Sequence, residues 1–220
     1  LLFFWAFPNG QIKYRPTEAL FASAKPVFER NAVPLSPTVD REEVHQRQIV
    51  MKAYRRSDGL YDIEARLVDT KTAPFLSPMA QAERLPGDPV HDIWVRLVID
   101  EWFEIKDVTA SSDSTPFAVC TQAPPTLKTL IGAKIGAGWS KLVREKLKGA
   151  SGCTHMMELL GPMATTAYQA LWPITSKRPQ PLDANGRPTK IDSCFAYASH
   201  SEIVATIWPE HYTGPKITKE

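Results

Sequence analysis

The stretch GASGCTHMMELLGP (149–162) places a cysteine two residues before a histidine where a helix should begin. Gly149 and Gly152 interrupt the segment before it, and Cys153 or Thr154 stands where an N-cap belongs. His155, Glu158, Leu159 and Pro162 then follow at helical spacing. A thiol in that position feels the unpaired N–H groups and the positive end of the helix, which favour thiolate. His155 is a candidate acid, base or ligand, and Glu158, one turn along, is placed to orient it. His91, at the head of the third apolar-alternating segment, and Cys120, in the first helical segment after the sheet, complete a set expected to converge at one sheet end. His91, Cys120, Cys153 and His155 suit one tetrahedral divalent metal, zinc or iron. Without a metal, His91, His155 and Glu158 make an acid/base site; the residues leave both readings open.

Two further groups carry weaker signals. In YRRSDGLYDIEARLVDTK (54–71), Arg56 and Lys71 have the chemistry to clamp an anionic or phenolic substrate, although cross-strand ion pairs on a solvated hairpin face account for most of the charge. Trp94, Phe117 and Trp139 are candidates for an aromatic pocket wall, with core packing as the ordinary alternative. Cys194 is expected to pack in the core, a fourth ligand being the alternative, and His45, His200 and His211 receive no role.

The elements that must position these residues follow from hydrophobic period. RQIVMKAYRR and LYDIEARLVDT alternate with period two around Ser57-Asp58-Gly59, with Ile63, Ala65 and Leu67 on one face and Asp62, Glu64 and Arg66 on the other. HDIWVRLVID and FEIKDVTAS alternate likewise. Strands are predicted at 47–56, 60–70, 91–100 and 103–112, antiparallel, with helices from 115 to 172 on one face: an α+β fold. Residues 1–44 read as a Pro-rich arm with one short helix, 45–172 as the core domain, and 173–220 as a Pro-rich connection followed by a docked short strand and helix.

With 220 residues, 43% hydrophobic and 23% charged, the chain can bury a substantial core. A formal charge of +2 and the lack of a basic stripe interleaved with aromatics argue against nucleic acid. The apolar opening LLFFWAF is too short to span a bilayer, so no membrane is expected and these residues pack on the body or a partner subunit. Three widely separated cysteines do not form a disulfide framework and fit a reducing cytoplasm. The expected assembly is a homo-oligomer acting on a small molecule.

YRRSDGLYDIEARLVDTK, GDPVHDIWVRLVID and GCTHMMELLGPMATTAYQAL together resemble the bacterial domain of unknown function 2889 over about residues 35–212. The pattern GDPVHD, IKDV and a late helix opening with Cys and His is also similar, more distantly, to the NifU/IscU-type iron–sulfur scaffold. There the first cysteine follows Gly-Asp-Pro-x, where this chain has His91. The second maps near Cys120; the third directly follows a histidine and maps near Cys153, here in the order Cys-Thr-His. The resemblance implies a NifU/IscU-like fold whose pocket mixes histidine and cysteine, and it suggests a phenolic substrate. The expected activity is a carbon–carbon lyase acting on a phenolic, lignin-type aromatic, with loss of a small carbonyl fragment such as formaldehyde. The alternative is a protein that delivers a metal or an iron–sulfur cluster and catalyses nothing.

Overall fold

A computed structural model of the protein describes residues 39–77, 79 and 83–215. The chain divides into two compact units, Leu1–Glu42 and Glu43–Glu220, and the features below belong to the second. The expected arm with its short helix and the apolar residues 1–7 lie outside the described residues.

Four strands form one antiparallel sheet in sequence order: β1 (His45–Arg55), β2 (Tyr61–Lys71), β3 (Pro89–Ile99) and β4 (Ile105–Ser114). The α+β class expected from the period switch is present, with strand ends within two residues of the predicted positions. In β2 the alternation is complete: Tyr61, Ile63, Ala65, Leu67 and Asp69 are buried, and the residues between them are not. Ile93, Val95, Leu97 and Ile99 of β3 face the same way and join them in the core. The opposite face carries Glu64, Arg66, Trp94 and Arg96 in cross-strand pairs such as Arg66–Asp92. The register is continuous from β1 to β2, while irregularities at Asp69/Thr70 and at Asp92/Ile93 bracket His91 on its two flanks. Such bulges add twist and re-aim a side chain.

The core face is covered by α1 (Trp139–Leu147) and α2 (Thr154–Thr175), whose buried residues Val143, Leu147, Met156, Leu159, Leu160 and Met163 complete one apolar cluster. Between β4 and α1 the chain makes short 3-10 turns at Ala118–Gln122 and Pro124–Leu130 where helical pieces broken at Pro124-Pro125 are expected. Pro124 and Pro125 withhold the N–H donors a longer helix would need. Before α2, Gly152 passes so close to the end of α1 that an added Cβ would stand 2.7 Å from the carbonyl oxygen of Leu147. A glycine is therefore required where the chain turns into the helix that bears His155.

The short strand expected at IDSCFAY is not formed. Asp192 adopts φ 63°, which ends an extended run, and its carboxylate accepts the backbone N–H of Ser199 at 2.8 Å. A 3-10 turn at Phe195–Tyr197 follows, then α3 (Glu202–Ile207), capped by the Ser201 hydroxyl. Cys194 is exposed rather than in the core. No helix among the described residues is long and apolar enough to cross a membrane.

Candidate functional site

Strand parity builds the site. Arg47 of β1, Asp69 of β2 and His91 of β3 are directly opposite one another in the register, forming one cross-strand row on the helix-covered face. The next row inward is Ile49, Leu67 and Ile93. The polar row is thus the last rung of the apolar core, and it lies beneath the start of α2.

Asp69 is its centre, with a side chain 2% exposed. Arg47 grips both carboxylate oxygens, Nε to Oδ1 at 2.7 Å and Nη2 to Oδ2 at 2.8 Å. His91 Nδ1 lies 3.0 Å from Oδ2, and His45 Nε2 lies 3.3 Å from Oδ1. A fully ionised carboxylate this deep needs such pairing. Burial works to raise the Asp69 pKa, but the Arg47 hydrogen bonds, with the charges of Arg47, His91 and His45, outweigh it and hold the carboxyl below its usual value.

His155, from the first turn of α2, stacks on His91 with ring centroids 3.9 Å apart and planes inclined at 34°. Burial lowers the pKa of His91, assisted by neighbouring His155 and Arg47 and opposed by Asp69. Burial likewise lowers that of His155, with Arg47 adding to it and Asp69 and Glu158 opposing. Both rings are therefore neutral near neutral pH. An ionised Asp69 can only accept, so His91 carries its proton on Nδ1 and leaves Nε2 as a free base. Asp69, His91 and His155 each present a ligand atom within 4.8 Å of the other two, the group able to hold a cation among the described residues.

The expected residues divide into those gathered here and those held elsewhere. His91 and His155 meet. Cys153 lies next to them, Sγ 3.9 Å from His155 Nδ1, but outside the group of three ligand atoms. Cys120, in the 3-10 turn after β4, does not belong to the group either, which removes it from the expected four-ligand set. Glu158 does not orient His155; its carboxylate reaches Arg47 Nη1 at 2.6 Å. Arg56 is spent on Asp58 and Asp62 at the hairpin turn, eight residues along β2 from Asp69, or about 27 Å at the usual strand rise. Lys71 stands at the correct end, two residues past Asp69, with Nζ 5.5 Å from the centre of the Phe75 ring. Trp94 lies on the open face under the Arg66 guanidinium, with the sheet between it and the histidines. Trp139 is buried in the core and donates Nε1–H to the Leu160 carbonyl at 2.9 Å; it also floors a concavity of about 210 Å³ beside Val143, Arg144, Met157 and Glu158.

Arg47, Asp69 and His45 are the members of this cluster that motif reading passed over. The signal was present in β2: Asp69 has the parity of Ile63, Ala65 and Leu67, and a carboxylate on the apolar parity of a strand must find a partner.

A model of the family described as "Protein of unknown function (DUF2889)" matches residues 45–169. That span runs from His45 through the whole sheet and the first sixteen of the 22 residues of α2, so it contains every residue of the site. No curated protein and no solved structure matches the chain.

Proposed function

The chain belongs to the DUF2889 family, whose description carries no chemistry, and from the site we propose that the protein is an acid/base enzyme, in its most concrete form a lyase for phenolic, lignin-type substrates. The observation that carries the reading is the Asp69–His91 hydrogen bond at 3.0 Å beneath a second neutral imidazole. A base with a fixed tautomer and a pKa lowered by burial is unprotonated, and so able to accept a proton, at neutral pH. The phenolic class comes from the sequence resemblance; a phenol, with a pKa of about 10, is a much weaker acid than the His91 imidazolium, so the phenolate must be stabilised as its charge forms.

The steps balance without a redox partner. His91 Nε2 takes the phenol proton, and the electron pair expels a benzylic oxygen substituent para to it, giving a quinone methide. Water protonates the departing oxygen, and the His91 imidazolium gives up the phenol proton to the hydroxide that this leaves. His155 then takes the proton of a neighbouring primary alcohol as its carbon–carbon bond opens; the bonding pair restores the phenolate and formaldehyde leaves. Asp69 keeps His91 oriented throughout and stabilises the imidazolium while it exists. The test is incubation of the wild-type protein with a panel of phenolic lignin-type dimers, with formaldehyde and alkene product measured in parallel. Equimolar formaldehyde and alkene are the expected outcome. No conversion of any member would overturn the lyase.

A second reading, a site for one zinc or iron ion, is favoured by the three converging ligand atoms. The donor set fits it poorly, since the Arg47 guanidinium covers both Asp69 oxygens and repels a cation. An iron–sulfur cluster fits less well still, with one thiol beside the site. Elemental analysis of protein purified without a histidine tag separates the readings: about one metal per chain, bound without loss of the Arg47–Asp69 pair, would favour the ion, whereas iron and sulfide together would favour delivery of a cluster.

A further inference from the structure

Arg47 spends its donors unequally. Nε and Nη2 are fixed to Asp69, whose side chain is 2% exposed, whereas Nη1 is paired with Glu158, whose side chain is 47% exposed. The buried half of this fork is structural. The outer half is an ion pair in contact with water, of the kind worth little because solvent screens it. Glu158 is one helical turn from His155, Arg47 Nη2 and His91 Nδ1 share Asp69 Oδ2, and His155 stacks on His91, so the guanidinium that carries Nη1 adjoins the two rings.

We propose that Arg47 Nη1 is the binding point for an oxyanion on the ligand, a phenolate in the reading above, and that Glu158 is a stand-in carboxylate displaced when the ligand enters. Its location deepens that reading and rests on it for the identity of the anion. Three features converge on it. The guanidinium is pre-oriented by the Asp69 grip, so little freedom is lost on binding. A positive group beside a base is what a developing phenolate needs, since stabilisation counts most where charge forms. The residue occupying Nη1 is a carboxylate on a long, exposed side chain, so a ligand that replaces it restores an ion pair, whereas a neutral molecule must leave Glu158 in place. The site therefore selects ligands that carry, or can form, an oxygen anion.

The experiment measures equilibrium binding rather than turnover, using 4-nitrophenolate and its neutral methyl ether, 4-nitroanisole, by titration calorimetry on the full chain. Wild type should bind the phenolate in preference to the ether. Glu158→Gln, a change at an exposed position, should tighten the phenolate by roughly two- to fivefold, the ratio equivalent to an exposed ion pair, and leave the ether unchanged. Glu158→Asp, too short to keep its grip on Nη1, should tighten it in the same direction. Unchanged phenolate affinity in both variants, or an equal gain by the ether, overturns the proposal. If wild type converts no lignin-type dimer yet the Glu158 dependence is seen, the anion site stands and the lyase falls. Turnover without any Glu158 dependence of phenolate binding has the opposite meaning.

Discussion

Replacing Asp69 with Asn tests the centre of the site most directly. The substitution keeps size and shape but removes the charge and turns one acceptor into a donor. Asp69 accepts from Arg47 twice and from His91 once, so an amide there must set an N–H against one of its own donors. Breaking a buried ion pair by changing one partner costs about 3–5 kcal/mol, because the other is left uncompensated. Arg47 keeps Glu158 as a second partner, which places the expected loss toward the lower end, about 3 kcal/mol. For a chain of this size that lowers Tm by roughly 6–12 °C. The loss should depend on pH. The folded carboxyl is held below its usual value, so its stabilisation is complete above an unfolded pKa of about 3.9 and fades as pH falls through the folded value. Urea denaturation of both proteins at neutral pH and near pH 3 should show the gap narrowing at the acid end. In the double replacement Asp69→Leu with Arg47→Met, the loss should be smaller than the sum of the single losses by about 0.5–3 kcal/mol, since neither charge is then stranded. A gap under about 1 kcal/mol at neutral pH, or one that does not narrow in acid, would refute the view that Asp69 is an ionised, paired group.

Three further outcomes are expected. His155→Gln should abolish turnover while changing stability by no more than about 1–2 kcal/mol, measured as Tm and substrate conversion on one sample; unfolding with normal specific activity in the surviving fraction would remove it from the site. Because burial lowers the pKa of His91 below its ordinary 6.5, kcat/KM should rise with pH to a plateau already reached near neutrality, and protonation of His91 and His155 should cost folding stability as pH drops below about 6.5. Arg56→Ala should leave turnover unchanged, because its ion pairs with Asp58 and Asp62 lie at the far end of the hairpin; a fall in kcat would mean that the turn reaches the substrate.

The sheet was legible because alternation is the direct imprint of one covered face: the period-two runs around Ile63, Ala65 and Leu67 and around Ile93, Val95 and Leu97 are the buried rows themselves. His91 and His155 stood out because each opens an element, and element ends are where a sheet and its covering helix leave room for polar side chains. Asp69 and Arg47 were hidden by composition. In a hairpin dense with Arg, Asp and Glu, a buried pair and a solvated pair read alike unless parity is followed to the last rung. Cys120 was placed by expecting a helix directly after β4, where the chain makes a 3-10 turn of five residues instead. The missing C-terminal strand depended on the positive φ of Asp192, set by contacts to Ser199 and Tyr197 that come later in the chain.

The position of β1 at the margin of the sheet has a consequence for how the site comes apart. A marginal strand is held by one neighbour, and its amides exchange through local fraying rather than global unfolding. Arg47 rides on that strand, whereas Asp69 and His91 sit on the two inner ones. Each fraying event carries the guanidinium away from the carboxylate, so the pairing of Asp69 lasts only as long as β1 stays zipped. The Arg47–Asp69 ion pair is thereby coupled to a motion of the backbone. Amide exchange at Gln46 through Gln48 therefore reports how often Asp69 is released, and a ligand that bridges Arg47 to α2 slows that exchange by holding the margin closed.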